Sequence, residues 1–193
     1  MHQHQHQRGF TLIEMIVAVG LFTVVMLISI TALLSLVDAN RKAQALQSVM
    51  NNLNIALDGM VRSIRMGSTY HCGEAGSYST PVDCPLGEQF LSIQPFRAEE
   101  GPAPSLLYWY AEDQNGIGRL YRSEDGSIAG GVPVTSPEVS IESVEFYVVG
   151  ASRADNVQPK VLVVIRGSAG ALKATVRTTF HIQATAVQRI LDL

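Results

Sequence analysis

Glu14 is the residue most at odds with its surroundings. It stands at the head of a run, Met15 to Val37, that holds no charge and no proline. A carboxylate at membrane depth is costly and usually has a partner. Two readings are open: Glu14 lies at an interface, still hydrated, or it pairs with a cation brought by another molecule. No Lys or Arg occurs between Gly9 and Asp38. A cut after Gly9 would supply a cation, because Phe10 would then carry a free amine beside the apolar run.

The other reactive side chains are few. Cys72 and Cys84 lack the second ligand pair of a zinc site, which leaves free thiols or a disulfide. The disulfide is the expectation. It closes a loop of about 13 residues, stabilises by very roughly 3 kcal/mol, and needs an oxidising compartment outside the cytoplasm. His71 beside Cys72 offers a metal pair, but a loop position without metal is expected. Glu99-Glu100 and Glu112-Asp113 carry the oxygen ligands calcium prefers. The spacing of an EF-hand loop is absent, so solvated turns are the better reading. Tyr108, Trp109 and Tyr110 form either a ligand platform or part of a strand, and strand propensity accounts for them. His181 falls in a strand-like run. No G-x-S-x-G motif accompanies these histidines. No G-K-[ST] follows Gly130-Gly131 or Gly167 to Gly170, so no phosphate loop forms there. No catalytic group, metal or cofactor is expected.

The elements that position these groups follow from the apolar pattern. Of 193 residues, 47% are hydrophobic, too many for a disordered chain. The formal net charge is −3 with Lys and Arg scattered, so no nucleic-acid partner is expected. Met15 to Val37 is about 23 residues, roughly 35 Å as a helix, enough to cross a bilayer core. Asp38, Arg41 and Lys42 end it. A cleaved secretory signal has a shorter apolar core followed by a small-residue site. Here Gly9 comes before the apolar run, which would survive the cut. His2, His4 and His6 alternate with glutamines in front of it. Such a tract can bind metal, but a polar tail that is discarded is the preferred reading.

The order Arg8-Gly9-Phe10-Thr11-Leu12-Ile13-Glu14, followed by an apolar helix, resembles the prepilin cleavage and methylation signature. Type IV pilins and type II secretion pseudopilins share it. The resemblance covers about the first third of the chain. It implies a leader, 1–9, removed between Gly9 and Phe10 by a prepilin peptidase/methyltransferase. It implies that Phe10 becomes the N-methylated first residue and that Glu14 contacts the amine of a neighbouring subunit during assembly. The implied partners are other pilin or pseudopilin subunits, an inner-membrane assembly platform and membrane lipid. Arg8 and the pair Arg41 and Lys42 flank opposite ends of the span, so the positive-inside count does not orient it. The motif and the cysteines do: leader inside, C-terminal part extracytoplasmic. Many major pilins carry a proline where this chain has Thr31, which leans toward a minor pilin or pseudopilin.

Helical periodicity continues beyond the span. Leu46, Val49, Met50, Leu53, Leu57, Met60, Val61 and Ile64 form one stripe, with Gln44, Gln47, Asn51, Asn52, Asn54 and Asp58 opposite. Gly67 and Ser68 end the helix. Ser68 to Gly87, rich in Gly, Ser, Pro and Cys, predicts a surface loop. Strand-like runs follow at 90–94, 105–111, 118–122, 140–149, 161–166 and 173–185, with a hairpin signal at Asn115-Gly116. The expected fold is α+β: a long N-terminal helix, membrane-spanning in its first half and amphipathic in its second, packed on an antiparallel β-sheet head. The expected divisions are 1–9 leader, 10–37 transmembrane or filament-core helix, 38–67 amphipathic half and 68–193 head. The function that follows is a filament subunit, probed against one alternative: a single-pass membrane-anchored extracytoplasmic enzyme or sensor. The alternative leaves the Phe10/Glu14 pattern unexplained.

Overall fold

The computed structural model describes residues 9–95, 105–152, 155, 157–169 and 178–189. The chain divides into two units, Met1–Gln44 and Ala45–Leu193. One helix, α1 (Leu12–Met66), supplies the described helical residues of the first and the opening of the second. In the first unit, every described residue from Gly9 to Gln44 is exposed, including Leu12, Ile16, Phe22, Leu27 and Leu36. Hydroxyls inside this apolar stretch are satisfied locally. Thr23, Ser29 and Thr31 donate to the carbonyls of Val19, Val25 and Leu27 at 2.7, 2.8 and 2.9 Å. An apolar environment therefore meets these three hydroxyls already paired.

In the second unit the stripe on α1 is buried as the periodicity predicts. Val49, Leu53, Leu57, Met60 and Ile64 are in the core, joined by Ala56, while Met50 remains exposed. The helix ends where Gly67 donates back to Ser63 O at 2.9 Å. A Cβ on Gly67 would lie 2.3 Å from the Ile93 side chain, so only glycine admits this approach of helix end to strand.

The strands divide into two antiparallel sheets rather than one. The first has the order β1 (Ser68–Cys72), β3 (Phe90–Gln94), β4 (Leu106–Glu112), β5 (Gly118–Ser123), β6 (Val132–Pro133). The second has the order β2 (Cys84–Glu88), β7 (Val139–Val149), β8 (Lys160–Ala169), β9 (Thr178–Val187). The inward residues of β7 (Ile141, Val144, Phe146, Val148), Val161, Val163 and Ile165 of β8, and Leu91, Ile93, Tyr108 and Leu120 of the first sheet share one core with the helix stripe.

Ser68 to Gly87 corrects the expectation of a loop, because its two ends are edge strands. Both are irregular, with register shifts at Ser68/Tyr70 and between Cys84 and Glu88. Pro85 is tolerated because β2 is at an edge. The expected hairpin is present but longer than two residues: Glu112 pairs with Gly118 around a five-residue turn, with Gly116 at φ 70°. The run at 173–185 is a strand from Thr178; residues 173–177 lie outside the described residues, as do His2, His4, His6, Arg8, Glu99 and Glu100.

Candidate functional site

The segment around Glu14 is built by the start of α1. Gly9 and Phe10 precede the helix in non-helical backbone, and Phe10 is 80% exposed. The Gly9–Phe10 peptide bond is therefore not held in the helical ladder, and nothing approaches within 4 Å of where a Gly9 Cβ would sit. Thr11 caps the helix: its Oγ1 accepts from the Glu14 N–H at 3.3 Å, and its carbonyl accepts from Met15 N at 3.2 Å. Thr11-x-x-Glu14 has the spacing of a capping box, a signal the sequence reading passed over. Glu14 is thus in the first turn, where the helix dipole favours a carboxylate. Its side chain is exposed, on a stretch of apolar surface that no described residue covers.

Cys72 and Cys84 form a disulfide with Cα atoms 5.8 Å apart, and both are buried. The bridge joins β1, at the edge of one sheet, to β2, at the edge of the other. Beside it, the Asp83 carboxylate accepts from Gly150 N at 3.2 Å and Ala151 N at 2.8 Å, tying the same segment to the end of β7.

His71 is not in a loop, as the sequence suggested, but in β1, and it is buried. Its Nδ1 lies 2.7 Å from Thr80 O and its Nε2 3.0 Å from Ala75 O. Each ring nitrogen thus faces a backbone carbonyl, to which the one bearing the hydrogen donates, and Cys72 is committed to its disulfide. His181 lies exposed in β9. Among the described residues no group of three or more His, Cys, Asp or Glu side chains is placed to hold a metal ion.

Asp113 serves its turn. It accepts from Asn115 N at 2.8 Å and Ile117 N at 3.1 Å, and pairs with Arg119 Nε at 2.7 Å. The Arg119 bond first, then the Ile117 N–H, hold its carboxyl below the ordinary value. Of the aromatic triplet, Tyr108 faces the main core, where burial raises its phenol. Trp109 faces the other way into a second cluster, stacked with Phe90 and Tyr121 at centroid distances of 6.5 and 5.6 Å. Tyr108 and Trp109 are thus packed on opposite faces rather than displayed side by side.

Residues 4–30 match the family model of the prokaryotic N-terminal methylation motif. With the exposed apolar helix and the α+β fold, this match over the N-terminal segment supports a type IV pilin-like or pseudopilin family. It points to a structural subunit rather than an enzyme, and with the apolar helix it fits membrane anchoring. Comparison with curated proteins and with solved structures gave no match.

Proposed function

We propose that the chain is a filament subunit, processed by a prepilin peptidase between Gly9 and Phe10, N-methylated on Phe10, and assembled through Glu14 into a pilus or pseudopilus as a minor component. The observation that carries this is the methylation motif over residues 4–30, set on a helix start whose apolar surface is wholly exposed. Such a surface needs lipid before assembly and other apolar helices after it. The anchor is a single pass of the inner membrane through 10–37, the amphipathic half is 38–67, and the head, 68–193, is extracytoplasmic. The disulfide supports that side of the membrane, since oxidising compartments favour it. Thr31, in place of the proline many major pilins carry, favours the minor role.

The test is the mass of the protein extracted from membranes. Loss of residues 1–9 plus the mass of one methyl group is expected. A full-length, unmethylated chain would favour the rival reading, a membrane-anchored enzyme or sensor.

A further inference from the structure

The C-terminal end of α1 carries a feature that the processing segment does not use. Arg62 and Arg65, on the last turns of α1, and Arg189, just past β9, border one depression of about 600 Å³ with Asp58, Val61 and Met66. The Arg189 N–H donates to Arg65 O at 2.8 Å. The strand end and helix end are tied by that bond, so the three side chains rise from one small area. All three are exposed. Among the described residues the ion pairs are Arg119 with Asp113 and Arg122 with Glu124; these three arginines form none.

Charge balance makes the cluster informative. Among the described residues three guanidinium groups and one carboxylate, Asp58, line the depression together with the apolar Val61 and Met66. The unit as a whole has the opposite sign: residues 45–193, the cluster included, contain 11 Lys and Arg against 15 Asp and Glu. A helix C-terminus is complemented by a cation in its last turn, and Arg65 already supplies one. Asp58, four residues before Arg62 on the same helix, can answer one more, which leaves the cluster with a surplus of positive charge at Arg189. Planar guanidinium forks suit carboxylates in bidentate geometry.

We propose that this depression binds an acidic segment of a neighbouring subunit, with a carboxylate taken between Arg62, Arg65 and Arg189 and an apolar side chain seated on Val61 and Met66. The inference rests on the filament reading above. A carboxylate fits better than a nucleic-acid backbone. Three cations neutralise few phosphates, and the acidic remainder of the unit repels a polyanion.

Filaments carrying Arg62→Lys, Arg65→Lys and Arg189→Lys together keep the charge and become substrates for zero-length carbodiimide coupling. The expected product is an amide between one of these positions and an Asp or Glu of another subunit, identified by mass spectrometry of the linked peptides. Mixed-isotope filaments separate links within a chain from links between copies. Links only to Asp58 or Asp192 of the same chain, or no links, overturn the proposal. The companion variant replaces all three arginines with glutamate. It should keep leader removal, membrane level and the Cys72–Cys84 bond, while its share in sheared filaments falls by roughly tenfold or more. Wild-type incorporation of that variant overturns the proposal, as does binding of short duplex DNA by the wild type that the variant loses. Failure of the filament reading looks different: the wild-type protein itself remains uncut and outside any filament.

Discussion

At position 9 the missing side chain leaves the bond to Phe10 in non-helical backbone, and no described residue beyond its chain neighbours comes within 4 Å of where a Cβ would sit. A peptidase working at the membrane surface needs that access. Gly9→Val should therefore leave most of the precursor uncut in the membrane, read as the intact mass of the extracted chain. Trimming to Phe10 at the wild-type rate would remove the steric argument. Asp113 allows a test in the second unit. Its carboxyl is held below the ordinary value of 3.8, chiefly by Arg119. A carboxyl depressed in the folded state stabilises fully above its unfolded value, and the contribution fades as pH falls through the lower, folded value. Asp113→Ala should thus lower the melting midpoint near neutral pH. The gap to wild type should narrow as pH drops below 3.8; a gap that stays constant would mean the turn is held by backbone geometry alone. Glu14 could be singled out in the sequence as a carboxylate heading an apolar run, whereas Gly9 and Phe10 were picked out through the resemblance of Arg8 to Glu14 to the prepilin signature. The Thr11 cap was also there to be read in the spacing to Glu14. The partners of Asp113 and His71 were not legible, because they are backbone groups whose position only the fold decides.

Among the elements, the regular ones were readable and the edges were not. The stripe from Val49 to Ile64 has a strong period and buries the predicted face, and β7, expected as a strand, alternates buried with more exposed residues along most of its length. β1 and β2 were hidden because their composition is that of a loop and their register is broken. Alternation along a strand also says nothing about which strand lies beside it, so the division into two sheets could not be anticipated. In β4 both faces are covered, Tyr108 by the main core and Trp109 by the second cluster, which erases the usual inside–outside contrast. The disulfide compensates for weak edges by linking β1 to β2 across the two sheets. Alkylation without reductant should find neither Cys72 nor Cys84 free in protein taken from the membrane. Cys72→Ser with Cys84→Ser should cost about 2–5 kcal/mol in unfolding free energy, with the loss showing first as exchange of amides in β1 and β2. Two freely alkylated cysteines in the wild type would remove both the bond and the argument for an oxidising compartment.

For the whole molecule, the governing fact is an exposed apolar helix surface with one carboxylate at its head. Insertion does not require Glu14, since Met15 to Val37 is apolar enough to enter a bilayer without it, and removing a charge favours lipid. Assembly is different. In a packed bundle of such helices the dielectric is low, and a carboxylate is tolerable only beside a cation. Under the proposed cleavage, the amine of Phe10 is the cation that the sequence offers at that depth, because no Lys or Arg lies between Gly9 and Asp38. Pairing that amine with Glu14 of a neighbour would also fix axial register, which apolar helices sliding on one another otherwise lack. Removing one partner leaves a buried charge uncompensated, at a cost of roughly 3–5 kcal/mol. Glu14→Ala leaves the Phe10 amine in that position. The variant should therefore be cut and inserted like wild type yet be nearly absent from sheared filaments when membrane levels are matched. Glu14→Asp, with the charge kept on a shorter side chain, should recover part of the incorporation. Should Glu14→Ala enter filaments as well as wild type, the carboxylate acts elsewhere, and an uncut Glu14→Ala precursor would place that role in recognition by the processing enzyme.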